Sequence, residues 1–162
     1  EEALGLAQLF VPAGTPLVDV RGRPGTGVNE IPRSRVPPRY PTLPVAILIN
    51  ERSASAAEVF AGAMQEAKRA LIAGRQSYGK GSVQGIYPLS TINGGIRLTT
   101  AKFYSPNGHP FSRVGVAPDV NVTATAQQVA RPTFEGQMVA APPVDPAFEA
   151  AVQAARGHVA QR

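Results

Sequence analysis

The sequence predicts an α/β fold organised around a strand–helix–strand unit. A continuous apolar run, Val45-Ala46-Ile47-Leu48-Ile49-Asn50, has the length of a strand. Directly after it, Val59, Phe60, Ala63, Met64 and Ala67 fall on one face of a helix. A second run, Leu71-Ile72-Ala73-Gly74, then closes the unit. Strand, helix, strand in that order returns the chain to a parallel sheet by a right-handed crossover. A strand that is apolar without alternation is expected to be buried on both faces.

The remaining elements follow in order. Glu1-Glu2-Ala3-Leu4-Gly5-Leu6-Ala7-Gln8-Leu9-Phe10 has an amphipathic helical pattern. A chain that opens inside a helix suggests an excerpt from a longer protein, and these residues lack the basic-then-apolar pattern of a targeting signal. Leu17 to Val20 is a short strand candidate. From Arg21 to Pro44 the chain carries Pro32, Pro37, Pro38, Pro41 and Pro44, a density that prevents a regular ladder or helix and predicts an exposed loop or extended arm. Ser82 to Leu89 and Gly95 to Tyr104 flank Asn93-Gly94-Gly95, a hairpin signal. Val120 to Val122 can add a strand. A last helix is expected from Asp145 as cap and Pro146 in the first turn to a stop at Gly157. The organisation expected is a core over 1–124, including a Pro/Arg-rich loop at 31–44, then a poorly patterned segment at 125–144 and a C-terminal helix and tail at 145–162.

Composition narrows the chemistry. With 162 residues, 43% of them hydrophobic and 17% charged, the chain suits one globular domain. The absence of cysteine removes disulfides, thiolate metal sites and a cysteine nucleophile together. Two distant histidines, His109 and His158, support neither a zinc site nor a Ser-His-Asp triad. The net charge of +5 raises nucleic-acid binding, but Arg21, Arg23, Arg33, Arg35 and Arg39 share one Gly/Pro-rich stretch with few aromatics. A solvated loop suits that distribution better, so no nucleic-acid partner is expected.

Two segments carry candidate chemistry. In Ser53-Ala54-Ser55-Ala56-Ala57-Glu58, at the strand-to-helix junction, a serine hydroxyl lies near free backbone N–H groups that can stabilise an oxyanion. The same residues match a capping box, a purely structural alternative. In Ser77-Tyr78-Gly79-Lys80-Gly81-Ser82-Val83-Gln84, a lysine sits between two glycines where backbones can approach closely. An amine kept from water more readily becomes neutral and can take a proton from a serine hydroxyl. An exposed turn lysine is the alternative. Gly74 to Lys80 also fits the phosphate-binding pattern G-x-x-x-x-G-K, but Gly81 occupies the Ser/Thr position and the residues beyond lack a helix pattern.

Taken together, Ser-Ala-Ser-Ala-x-Glu, Arg69-Ala70-Leu71-Ile72-x-Gly74, and Tyr78-Gly79-Lys80-Gly81-Ser82-Val83-Gln84 resemble the carboxyl-terminal processing (tail-specific) serine protease family. The 25-residue step from Ser55 to Lys80 matches, as do Leu98 to Gly108, Gly115-Val116-Ala117-Pro118-Asp119 and the Glu2 to Thr15 region. The resemblance spans residues 1 to 124. It implies a layered ClpP/crotonase-like protease core and a Ser-Lys dyad, with Ser55 as nucleophile, Lys80 as base, and Gln84 orienting the lysine. It implies an oxyanion hole using the Ala56 amide. Glu66 falls where many members carry Asp and is the candidate accessory carboxylate, with a solvated helix-end carboxylate as the plainer reading. No cofactor, metal or nucleotide is implied. Expected substrates are proteins or peptides with apolar C-termini, in the periplasm or another extracytoplasmic compartment. Peripheral membrane association is left open.

Family members usually carry a PDZ domain and, before the first helix, an Asn-Pro-Gly-Gly turn that supplies a second oxyanion donor. Residues 1–162 contain neither, so the polypeptide alone is expected to be weak or inactive. A non-catalytic binding module on the same fold, like the retinoid-binding modules of interphotoreceptor retinoid-binding protein, is the alternative.

Overall fold

A computed structural model describes residues 2–123, 130–132, 138–140 and 145–160. The strand–helix–strand unit forms as expected: β3 (Ala46–Ile49), α2 (Ala56–Glu66) and β4 (Leu71–Gly74), with β3 and β4 parallel and Ala46 opposite Leu71. β7 (Val120–Asn121) joins on the other side of β4, also parallel. A second, antiparallel sheet has the order β2 (Asn29–Glu30), β1 (Asp19–Gly22), β6 (Gly94–Tyr104) and β5 (Ser82–Leu89). β8 (Ala130–Pro132) and β9 (Met138–Ala140) pair with each other. α1 (Glu2–Gln8) packs on α2, while α3 (Pro146–Ala160) packs on the parallel sheet.

The core has two connected parts. Val18, Ile49, Val59, Ile72, Phe111 and Val116 fill the space between α2 and the sheets. Ala7, Val11, Leu17, Ala63, Met64 and Ala70 join α1 to the other side of α2. α2 therefore buries far more than one stripe, and even its small residues are used: a Cβ on Gly62 would lie 2.8 Å from the Phe111 ring.

Several expectations need correction. β3 is not buried on both faces: Leu48 is 41% exposed, because β3 is the edge of its sheet. The first strand starts at Asp19, not Leu17, since its ladder begins opposite Tyr104. Leu17 and Val18 are core residues ahead of it. At its start, Arg21 donates two hydrogen bonds to Asp19 (2.8 and 2.6 Å) and lies 4.1 Å over the Tyr104 ring. These hydrogen bonds to the Asp19 carboxylate raise the guanidinium above its ordinary pKa. The last helix begins as expected, with Asp145 accepting the Ala147 and Phe148 N–H groups, but runs through Gly157. A glycine weakens a helix and stops it only where the chain turns left-handed; Gly157 does not.

The Pro/Arg-rich loop is largely exposed, as expected, but it is anchored to the rest of the fold. Pro16 bridges Arg33, Ser34 is buried, and its amide donates to Thr15 O at 2.9 Å. Further along, buried Arg69 donates to the carbonyls of Phe10 (2.9 Å), Tyr40 (2.6 Å) and Leu43 (2.7 Å), tying the loop to the end of α1. Proline removes ladder donors, so the carbonyls it leaves unpaired are taken by one guanidinium.

α2 ends in a Schellman motif: Arg69 N–H bonds Met64 O at 2.9 Å and Lys68 N–H bonds Gln65 O at 2.8 Å. The left-handed position belongs to Lys68, with φ 52°. A side chain there costs about 1–2 kcal/mol, partly offset by the freer unfolded chain that glycine brings. Lys68→Gly is expected to raise stability by about 0.5–1 kcal/mol in urea unfolding.

Candidate active site

The residues between β3 and α2 form a tight turn. Asn50 N–H bonds Ser53 Oγ at 3.1 Å, and Arg52 N–H bonds Asn50 Oδ1 at 2.9 Å. Ser53 thus spends its hydroxyl on the turn. Ser55 is the N-cap of α2 with φ 58° and ψ −117°, a conformation that favours glycine. A serine there stores about 1–3 kcal/mol of strain and is held by its surroundings. It is the sharp strand-to-helix geometry that exposes a nucleophile above a sheet.

The surroundings are dominated by Glu58, 1% exposed. Its Oε2 accepts the Ser55 N–H at 2.8 Å and the Lys80 N–H at 2.8 Å. Its Oε1 accepts the Ser77 hydroxyl at 2.5 Å and the Gly79 N–H at 2.6 Å. The capping box is therefore unequal. The carboxylate half is strong, whereas the Glu58 amide bonds the Ser55 carbonyl at 3.0 Å and the Ser55 hydroxyl makes no close cap bond. Sharing one carboxylate oxygen, the Ser55 and Lys80 amide nitrogens lie no more than twice 2.8 Å apart. Tyr78 N–H adds a bond to Ser53 O at 2.9 Å.

The two glycines flanking Lys80 allow this approach. Gly79 has φ 89°, and a Cβ on it would come 3.0 Å from Val114 N; a Cβ on Gly81 would overlap the Ser112 amide. The 77–81 loop is thereby pressed against the 111–116 segment, where Ser77 Oγ accepts the Val116 N–H at 2.7 Å.

The candidate residues are brought together only in part. The Ala56 N–H, at the first position of α2, has no acceptor among the described residues, as expected for a helix start. Ser55 and Ala56 line an open groove of about 650 Å³, with α1, β1 and the 30–35 segment as its other walls. Lys80 is joined to Ser55 through its backbone, but its side chain is exposed and has no partner among the described residues. The water-excluded amine that proton abstraction requires is not seen. Gln84 is also exposed, just beyond a β-bulge between Val83 and Gln84, and makes no bond to Lys80.

Glu66 is neither solvated nor near Ser55. It ends α2, about 15 Å along the helix from Ala56. Its side chain is 14% exposed, accepting the Asn107 N–H at 2.7 Å and lying 2.9 Å from His109 Nδ1. It fastens the 105–109 loop. Sequence reasoning assigned no role to Ser77 and gave Glu58 only a cap. Their one signal was position, each inside a motif that also carries a candidate catalytic residue.

Residues 1–122 match the profile of peptidase family S41. The carboxy-terminal-processing protease of Bartonella bacilliformis is 41% identical over 122 residues, covering 75% of this chain and 27% of that protein. The carboxyl-terminal-processing protease of Synechocystis sp. is 29% identical over 160 residues, 99% of this chain and 34% of that one. A solved structure of a photosystem II D1 C-terminal processing protease superposes with a TM-score of 0.67 at 33% identity, covering 74% of this chain and 30% of that chain. The chain thus spans between a quarter and about a third of the length of these relatives.

Two outcomes follow from the geometry. Glu58→Gln puts an amide group against backbone donors and removes the charge from four hydrogen bonds, so stability should fall by about 3 kcal/mol or more in urea unfolding. Ser55→Gly relieves the backbone strain and should raise stability by about 1 kcal/mol, whereas Ser55→Ala, which keeps the Cβ, should give no such gain.

Proposed function

The chain belongs to peptidase family S41, and on that premise we propose that it forms the nucleophile-bearing part of a serine endopeptidase using a Ser55–Lys80 dyad. The observation that carries this reading is the Glu58 carboxylate, which holds the Ser55 and Lys80 amides on one oxygen. Neutral Lys80 takes the Ser55 proton as Oγ attacks a peptide carbonyl. The oxyanion forms beside the Ala56 N–H, Lys80 then protonates the leaving amine, and water hydrolyses the acyl-enzyme. A bound peptide covering the site would exclude the water that surrounds Lys80 in the free chain. Gln84 is proposed to orient the lysine in that closed arrangement.

The substrates proposed are proteins and peptides with apolar C-termini in an extracytoplasmic compartment, on the strength of family membership. The resemblance implies a second oxyanion donor and a PDZ domain, which residues 1–162 do not supply. Losing one oxyanion donor costs about a hundred- to thousandfold in rate, so residues 1–162 alone are proposed to turn over slowly.

The Lys80 side chain, exposed and without a partner among the described residues, favours a second reading, a binding module without catalysis. Against a lipid as its ligand, the groove is lined by Gln8, Glu30, Arg33 and Arg35 as well as apolar residues. Cleavage of an unfolded protein by the chain, together with any residues that precede it in its full-length protein, separates the two. Wild type should cut, while Ser55→Ala and Lys80→Ala should each lower the rate by at least about 10³-fold. Equal cutting by all three would overturn the dyad, and no cutting by wild type would favour the binding module.

A further inference from the structure

The groove beside Ser55 joins two kinds of surface. Leu4, Val20, Val59 and Phe103 give it an apolar floor, and Arg33 and Arg35 line it as well. Its volume of about 650 Å³ falls within the range of ligand sites. The arginine-bearing segment is fixed in place, since Arg35 N–H bonds Gln8 Oε1 at 2.7 Å and Gly14 N–H bonds Ser34 O at 2.8 Å. Arg33 donates Nη1 to Gly14 O at 2.9 Å and keeps the rest of its fork. The Arg35 guanidinium has no hydrogen-bond or ion-pair partner among the described residues. One carboxylate, Glu30, also lines the groove; it stands on β2 opposite Val20 and forms no ion pair with either arginine. The lining therefore holds two cations and one anion beside apolar side chains and the candidate nucleophile.

Resting on Ser55 as the nucleophile, we propose that Arg33 and Arg35 are specificity-determining residues that select peptides bearing a carboxylate near the scissile bond. The apolar floor takes an aliphatic or aromatic side chain of the same peptide. The carboxylate is either an Asp/Glu side chain or a free C-terminal carboxylate, since guanidinium forks bind both through the same paired hydrogen bonds. The arginines of this stretch then have different tasks: Arg33 and Arg35 line the groove, while Arg23 does not.

Binding of fluorescently labelled peptides to the Ser55→Ala chain tests this without requiring turnover. Four peptides share one apolar residue and differ in carrying internal Glu or Gln, with a free or amidated C-terminus. Peptides with a carboxylate should bind about three- to tenfold more tightly than the neutral amide at low salt, with the advantage shrinking as salt rises. The Glu arm and the free-terminus arm separately identify which carboxylate is read. Arg33→Gln and Arg35→Gln should remove the advantage while leaving the far-ultraviolet circular dichroism unchanged, and Arg23→Gln should keep it. Equal affinities for all four peptides, no binding, or equal losses in all three arginine variants would overturn the proposal. Equal affinities together with Ser55-dependent cleavage would leave the dyad standing. A carboxylate preference without any Ser55-dependent cleavage would instead overturn the dyad and leave a binding groove.

Discussion

A carboxylate removed from water must find hydrogen bonds for its charge, and Glu58 finds four, all from neutral donors. Two come from the turn before its own helix and the start of the Lys80 segment, meeting on one oxygen. The others come from Ser77 and Gly79 on the second oxygen. Because burial makes every unmet lone pair expensive, the carboxylate acts as a fixed point to which both segments are drawn. The left-handed serine depends on it as well. Its strain persists because the Ser55 amide and the helix start are both held.

From that fixed point the rest of the site extends outward. The loop carrying Lys80 can reach Glu58 only because Gly79 and Gly81 let its backbone pass against residues 111–114. Ser77 then links the same carboxylate to Val116, close to where Asp119 begins β7 by accepting the Ile72 N–H at 2.7 Å. On the other side, Arg69 holds the proline-rich loop by its carbonyls, and the 33–35 segment becomes one wall of the groove. Backbone placement is thus complete in the free chain, while the Lys80 side chain still lies in solvent. In the proposed dyad the nucleophile is positioned by the backbone, and the base awaits the cover that a bound peptide would provide.

Much of this was legible in the sequence. The parallel β3–α2–β4 unit, the hairpin and the cap at Asp145 follow from periodicity and local turn chemistry, which act over a few residues. The resemblance singled out Ser55 and Lys80 as candidates, and the S41 match agrees with the family it named. What stayed hidden depends on long-range partners. Glu58 looked like a cap because its second task, reaching Ser77, Gly79 and Lys80, involves residues 19 to 22 positions away. Glu66 looked solvated because its partners, Asn107 and His109, arrive from the far end of β6. The anchor of the exposed proline-rich loop is an arginine at position 69, outside the loop itself. Leu48 looked buried because an apolar run does not show that its strand lies at a sheet edge.

One carboxylate sets the register of Ser55 and Lys80 together. Amide hydrogen exchange, resolved by residue and compared between wild type and Glu58→Gln under conditions where both remain folded, tests it most directly. Protection should be lost at Ser55, Gly79 and Lys80 together, while the amides of β4 keep theirs. Loss confined to Ser55, with Gly79 and Lys80 unchanged, would reduce Glu58 to a helix cap and contradict the account.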